Sequence, residues 1–135
     1  MYKKHVLENG LTIIGEEIPY VKSISLGVWI NVGSRIEDEE ISGVSHFIEH
    51  MLFKGTRNRT SKQIASEIDN LGGQINAFTS KECTCYYVKL LDSHIDIGID
   101  VLSDMILNSK FNEDDLDKER SVIIEELKMY EDSPE

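Results

Sequence analysis

The chain has 135 residues, of which 40% are apolar, and this is enough for one compact domain but too little for two. A formal charge of −11 argues against nucleic-acid binding, because a phosphate backbone requires clustered Lys and Arg. An acidic surface suits a basic or neutral peptide, or serves solubility alone. No stretch is long and apolar enough to span a membrane, and the turn at Asn9-Gly10 comes before any leader develops. Cys83 and Cys85 are placed poorly for a mutual disulfide, so a cytoplasmic location is expected.

The first half of the chain predicts two strands and one helix. A strand over 11–17 follows the turn, and a second over 23–32 has an apolar residue at every other position, as a strand with one buried face does. These positions are Ile24, Leu26, Val28, Ile30 and Val32. After an acidic loop over 37–40, a largely apolar segment predicts a buried helix over about 43–54, which Gly55 ends.

The second half mixes helices with a pair of strands. Thr60 and Gln63 cap a predicted helix that ends at Gly72-Gly73, and strands follow over 74–79 and 84–91. Ser93 is predicted to cap a helix that runs to about Asn108, and Asn112 a last helix that runs to about Tyr130, with Pro134 just beyond. The apolar positions expected to face the core are Ile64, Ile68 and Leu71, and then Ile95, Ile99, Leu102 and Ile106. The pattern predicts an α+β fold with helices packed on a mostly antiparallel sheet.

Three polar side chains interrupt the apolar helix over 43–54. His46 and His50 are four residues apart and therefore neighbours on one face, which Glu49 borders. Buried polar groups require partners, and zinc would satisfy all three, with two imidazoles as ligands and the carboxylate near the metal-bound water. The alternative is a pair of histidines satisfied by hydrogen bonds. The complete H-x-x-E-H pattern, however, is the inverzincin form of the zinc-peptidase helix.

A third zinc ligand should come from another segment, because two histidines leave the ion under-coordinated. Helical periodicity divides the acids of the last predicted helix between two faces. Glu119 and Glu126 fall on an otherwise apolar face, whereas the neighbouring Glu125 falls on the polar one. The apolar face also holds Val122, Ile123, Met129 and Tyr130, and the polar face holds Lys118, Ser121, Lys128 and Asp132. This selects Glu126 over Glu125, unless the glutamates of the apolar face only extend to solvent at its border.

These motifs resemble those of the metallopeptidase family that includes pitrilysin, insulin-degrading enzyme and the β subunit of mitochondrial processing peptidase. The similarity is almost residue for residue over 43–56 and continues over 72–79 and 119–127. It covers the whole chain and is closest to the bacterial members that resemble processing proteases.

The resemblance implies a zinc-dependent endopeptidase with one zinc ion per chain. It implies His46, His50 and Glu126 as zinc ligands. Glu49 would take a proton from the metal-bound water and pass it to the leaving amine. Glu119 would hydrogen-bond a ligand histidine and fix its tautomer.

The strand over 74–79 is expected to be an exposed edge strand that binds substrate by strand addition. Gly72-Gly73 lets the chain turn away from the preceding helix, and the strand itself is only modestly apolar. The resemblance points to Asn76, Ala77 and Phe78 as the substrate-binding residues. The alternative is an ordinary interior or hairpin strand.

Members of this family are several times longer and pair a catalytic half with a related second half around a peptide chamber. Residues 1–135 are therefore expected to be the N-terminal part of a zinc-peptidase domain. The expected partners are a peptide, the missing half or a related subunit, and a second copy of the chain. Two rival hypotheses remain, namely a zinc-binding or peptide-binding module with little or no activity, and a structural zinc domain. A structural zinc site usually has a fourth Cys or His ligand, whereas here Glu49 lies beside the ligands.

Overall fold

The structure is a computed structural model that describes residues 1–131, so Asp132 and Pro134 lie outside the described residues. Its elements are β1 Tyr2–Val6, β2 Thr12–Glu16, β3 Ser23–Ile30, α1 Val44–Leu52, α2 Ser61–Asp69, β4 Gln74–Thr79, β5 Thr84–Leu91, α3 Ile95–Asn108 and α4 Glu113–Glu131. The α+β class predicted from the sequence is confirmed. None of the described helices is long and apolar enough to cross a membrane.

The strands form two antiparallel sheets. β1 and β2 make a separate hairpin with all of its residues exposed, while β3, β5 and β4 form a three-stranded sheet in that order. Thr79 at the end of β4 pairs with Thr84 at the start of β5. Within residues 1–131, β4 is thus paired along one side only, as expected of an edge strand.

The core lies between one face of the three-stranded sheet and helices α1, α2 and α3. It comprises Leu52, Ile64, Ile68, Tyr86, Val88, Leu90, Val101, Leu102 and Met105. Gly72 has a φ of +69° and Gly73 lies against β5, where a Cβ would meet the Leu90 side chain at 2.3 Å. The glycine pair is therefore required both to end α2 and to admit the chain to β4.

A buried polar network joins the loop after α1 to α3. The carboxylate of Asp104, which is 4% exposed, accepts four side-chain hydrogen bonds. The donors are Thr56 Oγ1 at 2.6 Å, Asn58 Nδ2 at 2.6 Å, Arg59 Nη1 at 2.9 Å and Asn108 Nδ2 at 2.9 Å. Burial alone would raise the pKa of Asp104, but the four donors lower it to about 2.

The buried face of α3 differs from the predicted one. Ile99 was expected in the core and is 46% exposed, whereas Gly98, Val101 and Met105 are buried. The cause is the close approach of α3 to β5 at Gly98, where a Cβ would lie 3.0 Å from Leu90 Cδ1. The predicted cap at Ser93 is also wrong, because a short 3₁₀ turn over 92–94 precedes α3 and no side chain caps it.

Three further predictions are corrected by the packing. The strand β1 was not predicted, and it is defined by its pairing with β2. Helix α1 is only partly buried, since Ile48 is exposed. On α4, Val122 and Met129 are exposed although they share the predicted apolar face, and the Tyr130 side chain lies outside the described part of the chain. The capping box of Thr60 and Gln63 is confirmed.

Candidate metal centre

Helix α1 begins at a carboxylate supplied by the acidic loop before it. Glu37 accepts hydrogen bonds from the backbone N–H groups of Gly43 at 2.7 Å and Ser45 at 2.8 Å. Burial would raise the pKa of Glu37, but hydrogen bonds from Ser45 and Gly43 lower it overall. An anion at a helix N-terminus also interacts favourably with the helix dipole, so Glu37 fixes the start of the helix that presents the histidines.

The two histidines of α1 meet a glutamate of α4. His46 Nε2 lies 3.0 Å from His50 Nε2, and Glu126 Oε2 lies 3.6 Å from the first and 3.7 Å from the second. A point equidistant from these three atoms is about 2 Å from each, which is the distance at which zinc holds imidazole nitrogen and carboxylate oxygen. The donor set and its spacing therefore fit a zinc ion.

A buried glutamate orients one of the histidines. Glu119 Oε1 lies 2.7 Å from His50 Nδ1, and Lys54 Nζ lies 2.5 Å from the other oxygen of Glu119. Burial would raise the pKa of Glu119, but its contacts with Lys54 and His50 lower it overall. Because an ionised carboxylate only accepts hydrogen bonds, His50 carries its proton on Nδ1 and turns the Nε2 lone pair towards His46 and Glu126.

The remaining acid of the motif, Glu49, lies between α1 and the three-stranded sheet. Its Oε2 atom accepts a hydrogen bond from Thr79 Oγ1 at the end of β4. The buried phenol of Tyr86 is also near. Burial raises the pKa of Tyr86 well above its usual value, and the charge of Glu49 raises it further, so this phenol stays protonated.

The structure brings together the five acids and histidines singled out from the sequence, namely His46, Glu49, His50, Glu119 and Glu126, on two helices that contact each other. Glu125 instead is exposed and forms an ion pair with Lys128 at 3.2 Å, so Glu126 is the member of the pair that lies beside the histidines.

The three residues expected to bind substrate lie on both faces of β4. Ala77 is half-buried on the helix side, while Asn76 and Phe78 are exposed on the opposite side, where Phe78 packs edge-on against Trp29. Asn76 Oδ1 accepts a hydrogen bond from the backbone N–H of Ala77 at 2.8 Å. A role for these residues in substrate binding stays a prediction.

Sequence reasoning missed Glu37, Lys54 and Thr79. Lys54 follows His50 by four residues, and this spacing could have marked it as a neighbour of the site. Thr79 continues the inward-facing series of β4 after Ile75 and Ala77. No local signal indicates that α1 lies over this end of β4.

A helix that carries two histidines with a glutamate between them in the order H-x-x-E-H is the pattern of the inverted zinc-peptidase class. Residues 12–135 match the model of the family described as Insulinase (Peptidase family M16), and the chain belongs to this peptidase family.

Individual relatives agree with this assignment. The chain is 53% identical over 135 residues to the uncharacterized zinc protease YmxG of Bacillus subtilis, covering 100% of this chain and 33% of that protein. It is 46% identical over 125 residues to the probable mitochondrial-processing peptidase subunit beta of Arabidopsis thaliana, covering 93% of this chain and 24% of that protein. The crystal structure of a protease from Helicobacter pylori has a TM-score of 0.95 and 29% identity, over 99% of this chain and 33% of that one. The chain thus spans about a third or less of the length of these relatives.

Proposed function

We propose that the protein is a zinc-dependent endopeptidase that cleaves peptides or unfolded polypeptide segments, with one zinc ion per chain held by His46, His50 and Glu126. The observation that carries the proposal is the convergence of these three ligand atoms beside the carboxylate of Glu49. Among the described residues, this is the one cluster of histidine, cysteine and acidic side chains spaced to hold a metal ion.

The chemistry follows from what each side chain can donate or accept. Zinc held at this site would supply a Lewis acid that polarises the scissile carbonyl and makes water easier to deprotonate. The carboxylate of Glu49 takes a proton from the attacking water and delivers it to the amide nitrogen, so that the C–N bond breaks and a neutral amine leaves. Glu119 holds His50 in the tautomer that leaves Nε2 free to bind the metal.

An extended peptide would add to the free edge of β4 and so bring a carbonyl past Glu49. Strand addition uses main-chain hydrogen bonds for affinity, and Asn76, Ala77 and Phe78 would contact the side chains of the peptide. The formal charge of −11 favours basic or neutral substrates. We further propose a cytoplasmic location, and a second half, a related subunit or a second copy of the chain that closes the site.

The second candidate is a zinc-binding or peptide-binding module with little or no activity of its own. The side chains of His46 and Glu126 are 32% and 39% exposed, so solvent reaches the site directly. Water then competes with the protein for a developing charge, and a peptide is held from one side only. We therefore expect the 135-residue chain to bind zinc and to cleave poorly compared with a full-length version that carries a second half.

Replacing Glu49 by Gln tests the proposal, because it removes the proton acceptor while keeping the shape of the side chain. Metal analysis should find about one zinc per chain, and cleavage of an unstructured basic peptide by the complete gene product should be abolished. Glu125→Gln serves as the matched control, since it removes an exposed charge of α4 that lies away from the histidines. Near-normal turnover by Glu49→Gln would remove Glu49 from the mechanism. A wild-type protein that holds zinc but never cleaves would favour the second candidate.

A further inference from the structure

The end of the edge strand reaches the acid of the motif through one hydroxyl group. Thr79 is the last residue of β4 and lies half-buried on the side of the sheet that faces α1. Its Oγ1 atom donates a hydrogen bond to Glu49 Oε2. Among residues 1–131, no other side chain makes a hydrogen bond to Glu49. This contact is therefore the polar restraint on a flexible side chain with three rotatable torsions.

The geometry of the strand pair directs the proton of Thr79 towards Glu49. The hydroxyl of Thr84, directly opposite in register, lies 3.4 Å from Thr79 Oγ1. Thr84 donates its own proton to the backbone oxygen of Val32 at 2.9 Å. Each hydroxyl carries a single proton, so Thr84 has none to offer Thr79, and the proton of Thr79 is best used on the carboxylate. A bond to an ionised acceptor is roughly twice as strong as one between neutral groups.

We propose that Thr79 is the positioning residue of the general base, an inference that rests on the proposed function of Glu49. By holding Oε2, Thr79 leaves Oε1 of Glu49 free to take the proton from water. The same residue belongs to the edge strand along which a peptide would pair. The base is thus held in a fixed position relative to the backbone that aligns the substrate.

The kinetic test compares two substitutions in the complete gene product. Thr79→Val keeps the shape of the side chain and removes the hydroxyl, whereas Thr79→Ser keeps the hydroxyl and removes the methyl group. We expect Thr79→Val to lower kcat roughly tenfold to a hundredfold, as misplacement of a catalytic group does, with KM and zinc content unchanged. Thr79→Ser should recover most of the lost rate. A wild-type kcat for Thr79→Val, or a Ser variant as slow as the Val variant, would overturn the proposal.

Thr84→Val is the matched control, because it removes a buried hydroxyl of the same strand pair that does not contact Glu49. It should lower stability and leave kcat close to the wild-type value. If Thr84→Val lowers kcat as much as Thr79→Val, the effect belongs to the strand pair as a whole and the positioning role is refuted.

A measurement on the 135-residue chain itself does not depend on turnover. The hydroxyl proton of Thr79 should exchange slowly with solvent in the NMR spectrum, and roughly tenfold faster in Glu49→Ala, since loss of one hydrogen bond to a charged group has about this effect. Unchanged exchange in Glu49→Ala would contradict the contact. Failure of the proposed function looks different, because Glu49→Gln would then retain activity or the wild type would have none.

Discussion

In the Asp104 network one carboxylate accepts hydrogen bonds from four donors, whereas in the cluster of His46, His50 and Glu126 three acceptor atoms point towards each other. Since Glu119 accepts the hydrogen bond of His50 Nδ1, the Nε2 lone pair of His50 faces His46 Nε2 and Glu126 Oε2. The first cluster is satisfied by the protein alone, while the second presents a set of ligand atoms that a cation would satisfy. Both are polar clusters that involve α1 or the loop after it, so polarity alone does not separate a structural site from a functional one. The balance of donors and acceptors does.

The largest expected effect is on zinc binding when one acceptor is removed from the second cluster. His46→Ala, His50→Ala and Glu126→Ala should each weaken zinc affinity by roughly three orders of magnitude, about 4 kcal/mol, because two ligands leave the ion under-coordinated. Metal analysis after dialysis and titration with a zinc indicator measure the loss. Glu125→Ala, one residue away on the polar face, should keep its zinc. Loss of zinc in Glu125→Ala together with retention in Glu126→Ala would refute the assignment of Glu126 as the third ligand.

Removing the acceptor of the first cluster should affect stability instead. Asp104→Ala leaves Arg59, Asn58, Asn108 and Thr56 without their common partner and should lower the free energy of unfolding by about 3 kcal/mol. Urea unfolding of the zinc-free chain measures this. Asp100→Ala removes an exposed partner of the same Arg59 and should cost less than about 1 kcal/mol. If folded Asp104→Ala loses its zinc while its stability stays normal, the two clusters are not independent of each other.

The Asp104 network should also give a distinct dependence of stability on pH. The pKa of Asp104 falls from 3.8 to about 2 on folding, so its contribution is complete above about pH 4 and is lost as the pH falls towards 2. At about 1.4 kcal/mol for each pKa unit, the loss amounts to about 2 kcal/mol. Unfolding of the zinc-free chain at several pH values should show this decline in the wild type and a smaller one in Asp104→Asn. Equal declines in the two proteins would assign the acid sensitivity to other carboxylates.

The convergence of the three proposed ligands could be predicted from the sequence because its signals are local to single helices. His46 and His50 share a face through their spacing of four, and helix α4 separates Glu126 from Glu125 by face. The glycine pair that ends α2 and the capping box at Thr60 are likewise short-range signals. Each depends on residues within about one helical turn, so no knowledge of packing is needed.

The other residues of the site could not be predicted, because their contacts depend on which helices and strands pack together in the fold. Lys54 and Thr79 act through Glu119 and Glu49, which lie on other elements, so their roles appear only once α1 contacts both α4 and β4. Similarly, the core face of α3 is set by Gly98, whose lack of a side chain lets α3 approach β5 closely. The spacing of apolar residues does not include a glycine, so it indicated Ile99 instead. The strand β1 has little apolar alternation and exists through its pairing with β2.

The smallest expected effect concerns Lys54, the cation that contacts the buried carboxylate of Glu119. Glu119 is buried like Asp104, but its two contacts are divided between a fixed cation, Lys54, and the ligand His50. Without Lys54, Glu119 loses one of its two partners and holds the ring of His50 less firmly in the orientation that presents Nε2. Lys54→Met should therefore weaken zinc affinity about tenfold, the lower end of the range for partners behind a metal ligand. Lys54→Arg should bind zinc almost normally, and so should Lys128→Met, which removes an exposed lysine of α4. A zinc titration in which Lys54→Met equals the wild type would show that His50 alone is a sufficient partner for Glu119. In that case Lys54 would have no part in holding His50 in its orientation.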